Sequence, residues 1–262
     1  MTVAFDIPPL TLGALRIACA AALCLAASVT AVGCLPGMQR GRAAAQRTCI
    51  CAATVAIGVG VWAEQFIAPI SVPGLSAIGF SPTGAFASLA ASLVSVAVGF
   101  ALFSRYLDGR GWLGGGSVMG GGIALAHGLV LVAMRGPVEI VRDDVLVTGS
   151  VAAASGLCVC ALFVARRWLG AGGRLAAAVL IAAAAVGSQA MAAAAPSVSA
   201  ASIVAGAAEA ALPAQALGFF AVKLITAAVL GARLMAQGVG ALRTPAPAVR
   251  PTPAAWSTVA LD

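Results

Sequence analysis

The chain has 262 residues, of which 61% are hydrophobic and 9% are charged, and its formal net charge is +7 at pH 7. Soluble globular domains carry about 25% charged residues, so the composition excludes an ordinary soluble domain and indicates a polytopic membrane protein. It also argues against nucleic-acid binding, which needs a basic face interleaved with aromatic side chains, since only 5% of the residues are aromatic.

Seven apolar runs are long enough to cross a bilayer as helices, which takes about 20 residues. The predicted helices cover residues 11–35, 49–71, 84–104, 113–134, 145–165, 174–195 and 212–236. The last stretch of the chain is rich in proline and alanine, which is typical of a disordered segment. We therefore expect an all-α membrane domain over residues 1–240 and a disordered cytoplasmic tail over residues 241–262.

The arginines predict the orientation in the membrane. They cluster after the odd-numbered runs, whereas the alternate loops hold Arg135 and Arg142 beside acidic residues, or no basic residue. Because cytoplasmic loops carry the excess of basic residues, the N-terminus is expected outside and the C-terminus in the cytoplasm. The rings of Tyr106, Trp112 and Trp168 are then expected at the inner membrane interface, and Trp62 near the outer one.

The seven cysteines lie in or at the edges of apolar runs, which predicts packing rather than a disulfide framework. A four-thiol metal site from Cys49, Cys51, Cys158 and Cys160 is disfavoured, because residues two apart on a helix point to different faces.

A repeat of 62 residues organises the chain. Gln65, His127 and Gln189 are spaced by 62 residues, and the same spacing separates Ser88 from Ser150. Three tandem two-helix units followed by a closing seventh helix account for this pattern. Each unit crosses the membrane twice, so all three run in the same direction, and the three polar residues are expected at matching depth near the outer face.

The fourth run is rich in glycine and contains His127, the single histidine of the chain. Glycine lets neighbouring membrane helices approach closely, and an ionisable side chain inside the membrane is a functional-site candidate.

This pattern resembles the MHYT family of bacterial membrane sensor domains, over about residues 10–240. The resemblance implies a seven-span domain in the bacterial inner membrane, in which Met, His and Tyr residues near the outer face bind a metal, copper above all. Around the second motif, the residues that match the family are Met119, Gly120, Gly122, His127, Ala133, Met134 and Arg135.

Most of the family's proposed ligands are replaced in this sequence. Glu64 and Gln65 stand in place of the Met and His of the first motif, and Ser188 and Gln189 in place of those of the third. Copper favours imidazole nitrogen and thioether sulfur, and a glutamine amide is a poorer ligand. The substitutions favour a structural polar cluster of Glu64, Gln65 and Gln189 without a bound metal. The alternative is a residual copper site at His127 and Met134, which lie seven residues apart and so on one side of a helix.

Two charged residues inside the runs, Glu64 and Lys223, are expected to pair or to share a wet cavity, because either alone is costly in hydrocarbon. The leading interpretation is a non-enzymatic sensor domain in the lipid bilayer that has no output module of its own and acts through a separate cytoplasmic signalling partner. The alternative is a small transporter, with Glu64, His127 and Lys223 lining a path. Neither a metalloprotease His-Glu-x-x-His pattern nor a Gly-x-Ser-x-Gly elbow is present.

Overall fold

A computed structural model describes residues 9–40, 42–67, 79–106, 108–135, 139–142, 144–168, 170–194, 196–199 and 212–241. The helices are α1 (Pro9–Gly33), α2 (Leu35–Arg40), α3 (Ala43–Ile67), α4 (Pro82–Arg105), α5 (Gly109–Ala133), α6 (Asp144–Arg167), α7 (Ala171–Ala194) and α8 (Ala214–Ala241). The strands are β1 (Gly79–Phe80), β2 (Met134–Arg135), β3 (Glu139–Arg142), β4 (Pro196–Ser199) and β5 (Leu212–Pro213). The expected tail lies outside the described residues from position 242 onward.

Seven helices within these ranges are long and apolar enough to cross a membrane, with the first crossing running through α1 into α2. The chain is therefore an all-α seven-helix bundle, as predicted, and it fits a multi-pass membrane protein. Helix α3, which contains the second predicted run, begins at Ala43, six residues before the predicted start. Hydropathy identifies only the part of a helix that would cross hydrocarbon, whereas the helix itself continues into polar flanking residues such as Arg47.

The three two-helix units are α1 with α3, α4 with α5, and α6 with α7, and α8 packs against α3 and α1. The second helices of the units, α3, α5 and α7, contact one another in the interior. Arg40, Arg105 and Arg167, the last residues of α2, α4 and α6, lie at one end of the bundle, which we call the arginine end. The strands lie at the opposite end, which we call the strand end.

The 62-residue repeat governs the structure in detail. Helix α4 begins at residue 82 and ends at 105, and α6 begins at 144 and ends at 167. Both bounds therefore differ by 62 residues. Strand pairing repeats as well, because Phe80 pairs with Met134 in the second unit and Arg142 pairs with Pro196 in the third. Both partners are shifted by 62 residues. The strand end therefore contains two copies of one antiparallel strand pair, and β5 adds a third strand to the first copy.

The same repeat sets the turns that join α4 to α5 and α6 to α7. A Cβ on Gly111 would overlap the carbonyl oxygen of Tyr106, and one on Gly173 would overlap that of Trp168. Both turns therefore need glycine at the position where the chain passes closest to itself.

The glycines of α5 allow close approach of two neighbouring helices. A Cβ on Gly115 would lie 2.6 Å from the carbonyl oxygen of Gly99 in α4, and one on Gly116 would lie 2.5 Å from the Cα of Val159 in α6. A Cβ on Gly120 would overlap the backbone of Ala154 in α6. The absence of side chains at these positions brings backbones into contact, which confirms the prediction that small residues promote membrane helix packing.

Candidate functional site

Buried polar side chains gather toward the strand end of the interior helices. Glu64 and Gln65 on α3, His127 on α5 and Ser188 on α7 are each at most 4% exposed. With Cys24 of α1, which contacts Glu64, these five residues form a set that we call the polar centre. Because α3, α5 and α7 contact one another, a polar group on each of them lies inside the bundle, away from the surface that would face lipid.

The hydrogen bonds of His127 fix its tautomer. Nδ1 lies 2.8 Å from the backbone carbonyl oxygen of Ile123, and a carbonyl only accepts, so we assign the proton of the neutral ring to Nδ1. Ser188 Oγ, at 3.2 Å from Nδ1, donates its own hydrogen to the carbonyl of Ala185 at 2.9 Å and accepts from His127. Nε2 therefore holds a lone pair, and it bonds to no described residue.

Gln65 is fully buried, and neither the oxygen nor the nitrogen of its amide hydrogen-bonds to a described residue. Each buried polar group without a partner costs about 1–3 kcal/mol, and native structures contain few of them. Gln65 and His127 hold equivalent positions of the repeat on helices that contact each other. Unused hydrogen-bonding capacity is therefore concentrated in the polar centre.

Glu64 is paired with a thiol rather than with a cation. Cys24 Sγ donates to Glu64 Oε2 at 3.4 Å, whereas Lys223 is exposed on α8. Within the described ranges, the one ion pair joins Arg110 to Asp108. The predicted pairing of Glu64 with Lys223 is therefore wrong, because the two side chains leave their helices in different directions, one inward and one outward.

The third repeat contributes a different residue from the one predicted. Gln189 is only half-buried, and Ser188 contacts His127 instead. Successive residues on a helix are turned by about 100°, so only one of the two can face α5. Ser188 is 124 residues after Glu64, two repeats further along, so the spacing of 62 contained the signal for it. At the spacing of 62, Cys24 corresponds to Phe86 and Thr148, so the repeat contained no consistent signal for its contact with Glu64.

Met134 does not share a helical face with His127, because α5 ends at Ala133 and Met134 has extended backbone angles as the helix C-cap. Its backbone pairs with Phe80 instead. Among the described residues, no group of three or more His, Cys, Asp or Glu side chains is placed to hold a metal ion. His127 is thus the one imidazole in a centre whose other groups are amide, carboxyl, hydroxyl and thiol.

An aromatic layer packs next to the polar centre at the strand end. The rings of Phe66 and Phe80 are edge to face at 5.0 Å, and those of Trp62 and Phe66 at 4.9 Å. Trp62 is 1% exposed and its indole donates to the carbonyl of Ala85 at 2.8 Å. A hydrogen bond between helices therefore satisfies the indole inside the bundle, and the place of Trp62 near the outer membrane interface stays a prediction.

Comparison with known proteins gives one similarity of interest. Over 147 residues, which is 56% of this chain, the sequence is 29% identical to a Caulobacter vibrioides protein described as an "Uncharacterized signaling protein". The match spans 18% of that longer protein. No protein-family model matches the chain, that of the MHYT family included, and no solved structure matches it.

Proposed function

We propose that this chain is a membrane-embedded sensor domain of a bacterial signalling system, with the polar centre as its sensory site. The observation that carries the proposal is the unused hydrogen-bonding capacity of His127 Nε2 and the Gln65 amide inside the bundle. If these two groups served only for packing, apolar residues in their place would make the protein more stable. The similarity to a protein described as a signalling protein adds support.

The ligand class follows from the two groups. His127 Nε2 accepts a hydrogen bond, whereas the Gln65 amide both donates and accepts. A small neutral molecule with donor and acceptor atoms satisfies both at once and links α5 to α3. These helices run from the strand end to the arginine end, so a change in their packing is conveyed along the bundle. The proposed partner is a cytoplasmic signalling protein at the arginine end, which is the inner end in the proposed orientation.

A resident copper ion does not fit this centre. His127 donates from Nδ1 to a backbone carbonyl, which is a hydrogen bond that metal-bound histidines commonly make. Copper would also need further nitrogen or thioether ligands. The repeat positions that would supply them hold Glu64, Gln65, Ser188 and Gln189. Sensing in this chain is therefore proposed to use hydrogen bonding rather than copper.

The proposal is tested in the native host by measuring cyclic di-GMP, the second messenger that the resemblance to the MHYT family implies. His127→Leu and Gln65→Leu are compared with Leu125→Ala, a change at an exposed residue of α5. At equal membrane abundance, we expect the first two variants to shift the messenger level at least about twofold and the control to leave it unchanged. If all three strains match the wild type, this signalling role is rejected.

The proposal that the polar centre binds no copper is tested separately. Purified protein is exposed to Cu(I) under anaerobic conditions, and bound copper is counted per chain. We expect no retention beyond that of His127→Leu. Stoichiometric copper that this substitution removes would overturn the metal-free centre while leaving the sensor role open to the messenger assay. The transporter alternative has less support, because Lys223 and Glu64 point in different directions and form no shared path.

A further inference from the structure

The α8 helix leaves a long face uncovered. Only 17% of its membrane-spanning window is buried in the bundle, against 83% for α3. The exposed face, which we call the α8 face, has residues at helical spacings of three and four: Phe219, Lys223, Thr226, Leu230 and Leu234. Such a stripe is the pattern by which one helix packs along another.

Lys223 is the anomaly on this face. It lies seven residues after Ala216, the start of the apolar span, and fourteen before its end at Gln237, which places it about 10 Å below the strand-end border. It forms no ion pair or hydrogen bond with a described residue. Thr226, by contrast, donates to the carbonyl of Val222 at 2.8 Å.

The other basic residue of α8 shows how the fold treats a cation that it can satisfy. Arg233 Nε donates to Thr30 Oγ1 of α1 at 3.3 Å. Lys223 is two turns from the nearer end of the span, and lysines snorkel to the interface from positions close to helix ends. An ammonium group at this depth, directed away from its own bundle, calls for an anion supplied from outside.

We propose that the α8 face docks a transmembrane helix of a different protein, and that Lys223 pairs with a carboxylate of that helix in the strand-end third of the membrane. Inside hydrocarbon, a carboxylate and an ammonium each remove the cost of burying the other. Phe219, Leu230 and Leu234 supply the apolar contacts on either side of the pair. The proposal is independent of the polar centre, which lies inside the bundle.

A second copy of this chain does not supply the carboxylate. The acidic residues of the described spans are Asp144, which begins its span, and Glu64, which is buried and bonded to Cys24. A two-fold contact through the α8 face would place Lys223 close to its own equivalent, and like charges at an interface repel.

The test uses the full chain, labelled with a donor dye and reconstituted in phosphatidylcholine vesicles. The probe is a synthetic leucine-rich transmembrane peptide with an acceptor dye and one Glu seven residues from its end; the control peptide has Gln there. Energy transfer measures association. We expect the Glu peptide to bind the wild type about tenfold more tightly than the Gln peptide, an advantage that Lys223→Met removes and Lys223→Arg keeps.

The reciprocal swap guards against a folding defect. The Lys223→Glu variant should no longer bind the Glu peptide, and it should bind a peptide that has Lys at the same position. Equal binding of the Glu and Gln peptides to the wild type overturns the proposal. So does energy transfer between copies of the chain that the Glu peptide fails to displace, which would make a second copy the occupant. Loss of the Glu preference in vesicles with anionic phosphatidylglycerol would assign the face to lipid phosphate instead.

Discussion

Ser188 Oγ lies 3.2 Å from His127 Nδ1, across the contact between α7 and α5. The bond joins the second and third repeats inside the bundle, and it leaves Nε2 of the ring directed away from both its bonded partners. Hydrogen bonds between membrane helices contribute about 0.6 kcal/mol on average. The bond between Ser188 and His127 is therefore expected to matter more for the orientation of the imidazole ring than for the stability of the protein.

A double-mutant cycle separates Ser188 from its neighbour. Ser188→Ala and His127→Leu, made singly and together, are expected to show a coupling free energy of about 0.6 kcal/mol in reversible unfolding in mixed micelles. The matched cycle of Gln189→Ala with His127→Leu should show none, because Gln189 forms no hydrogen bond with the ring. Coupling at Gln189 but not at Ser188 would contradict the observed register of α7.

Replacement of Gln65 should stabilise the protein. Gln65→Leu removes a buried amide without partners, so the free energy of unfolding should rise by about 1 kcal/mol or more. Gln189→Leu, at a half-buried position, should change it less. If Gln65 serves the sensory site, the stabilised variant should lose the response, which is the usual trade of function against stability. A destabilising Gln65→Leu would show instead that the amide already has a partner.

The thiol of Cys24 should stabilise the bundle through Glu64. Cys24→Val leaves the buried carboxyl without its described donor, so we expect the free energy of unfolding to fall by about 1–3 kcal/mol. Adding Glu64→Leu should recover most of that loss, because replacement of both partners by apolar groups leaves nothing unpaired. The same unfolding measurement serves both variants. Failure of the second substitution to rescue the first would mean that Cys24 acts by packing alone.

Adjacent glycines of α5 should respond very differently to alanine. A Cβ on Gly120 would overlap the backbone of Ala154, whereas one on Gly121 meets only Ser155 Oγ, at 3.7 Å. Gly120→Ala should therefore cost about 1–3 kcal/mol through overpacking. Gly121→Ala should be neutral or stabilising, because it also removes conformational freedom from the unfolded chain. Thermal unfolding in detergent compares the two, and equal effects would argue against close packing of α5 on α6.

Much of this architecture was predictable from residue spacing. Gln65 and His127 were expected inside the bundle on equivalent helices, and both are buried. The repeat also relates the strand pairs, since the pair of Arg142 with Pro196 lies 62 residues after the pair of Phe80 with Met134. Strands as short as these have too little periodicity to detect without knowing that the chain turns back there.

The errors share one cause. Lys223 and Glu64 were expected to pair, and Met134 was expected on the helical face of His127. Each of these predictions assigned an azimuth or a helix end from spacing alone. The structure differs because Glu64 faces inward and bonds to Cys24, and because α5 ends one residue before Met134.

The sequence by itself determined the all-α class, the number of crossings, the repeat and the close packing of the glycine-rich helix, since apolar length and small-residue spacing act locally along the chain. Only the tertiary structure decided which residue of each helix turn faces inward, that Ser188 rather than Gln189 contacts His127, and that Cys24 contacts Glu64. A rotation of one residue about a helix axis changes partners without altering hydropathy, so that choice is made where three helices meet.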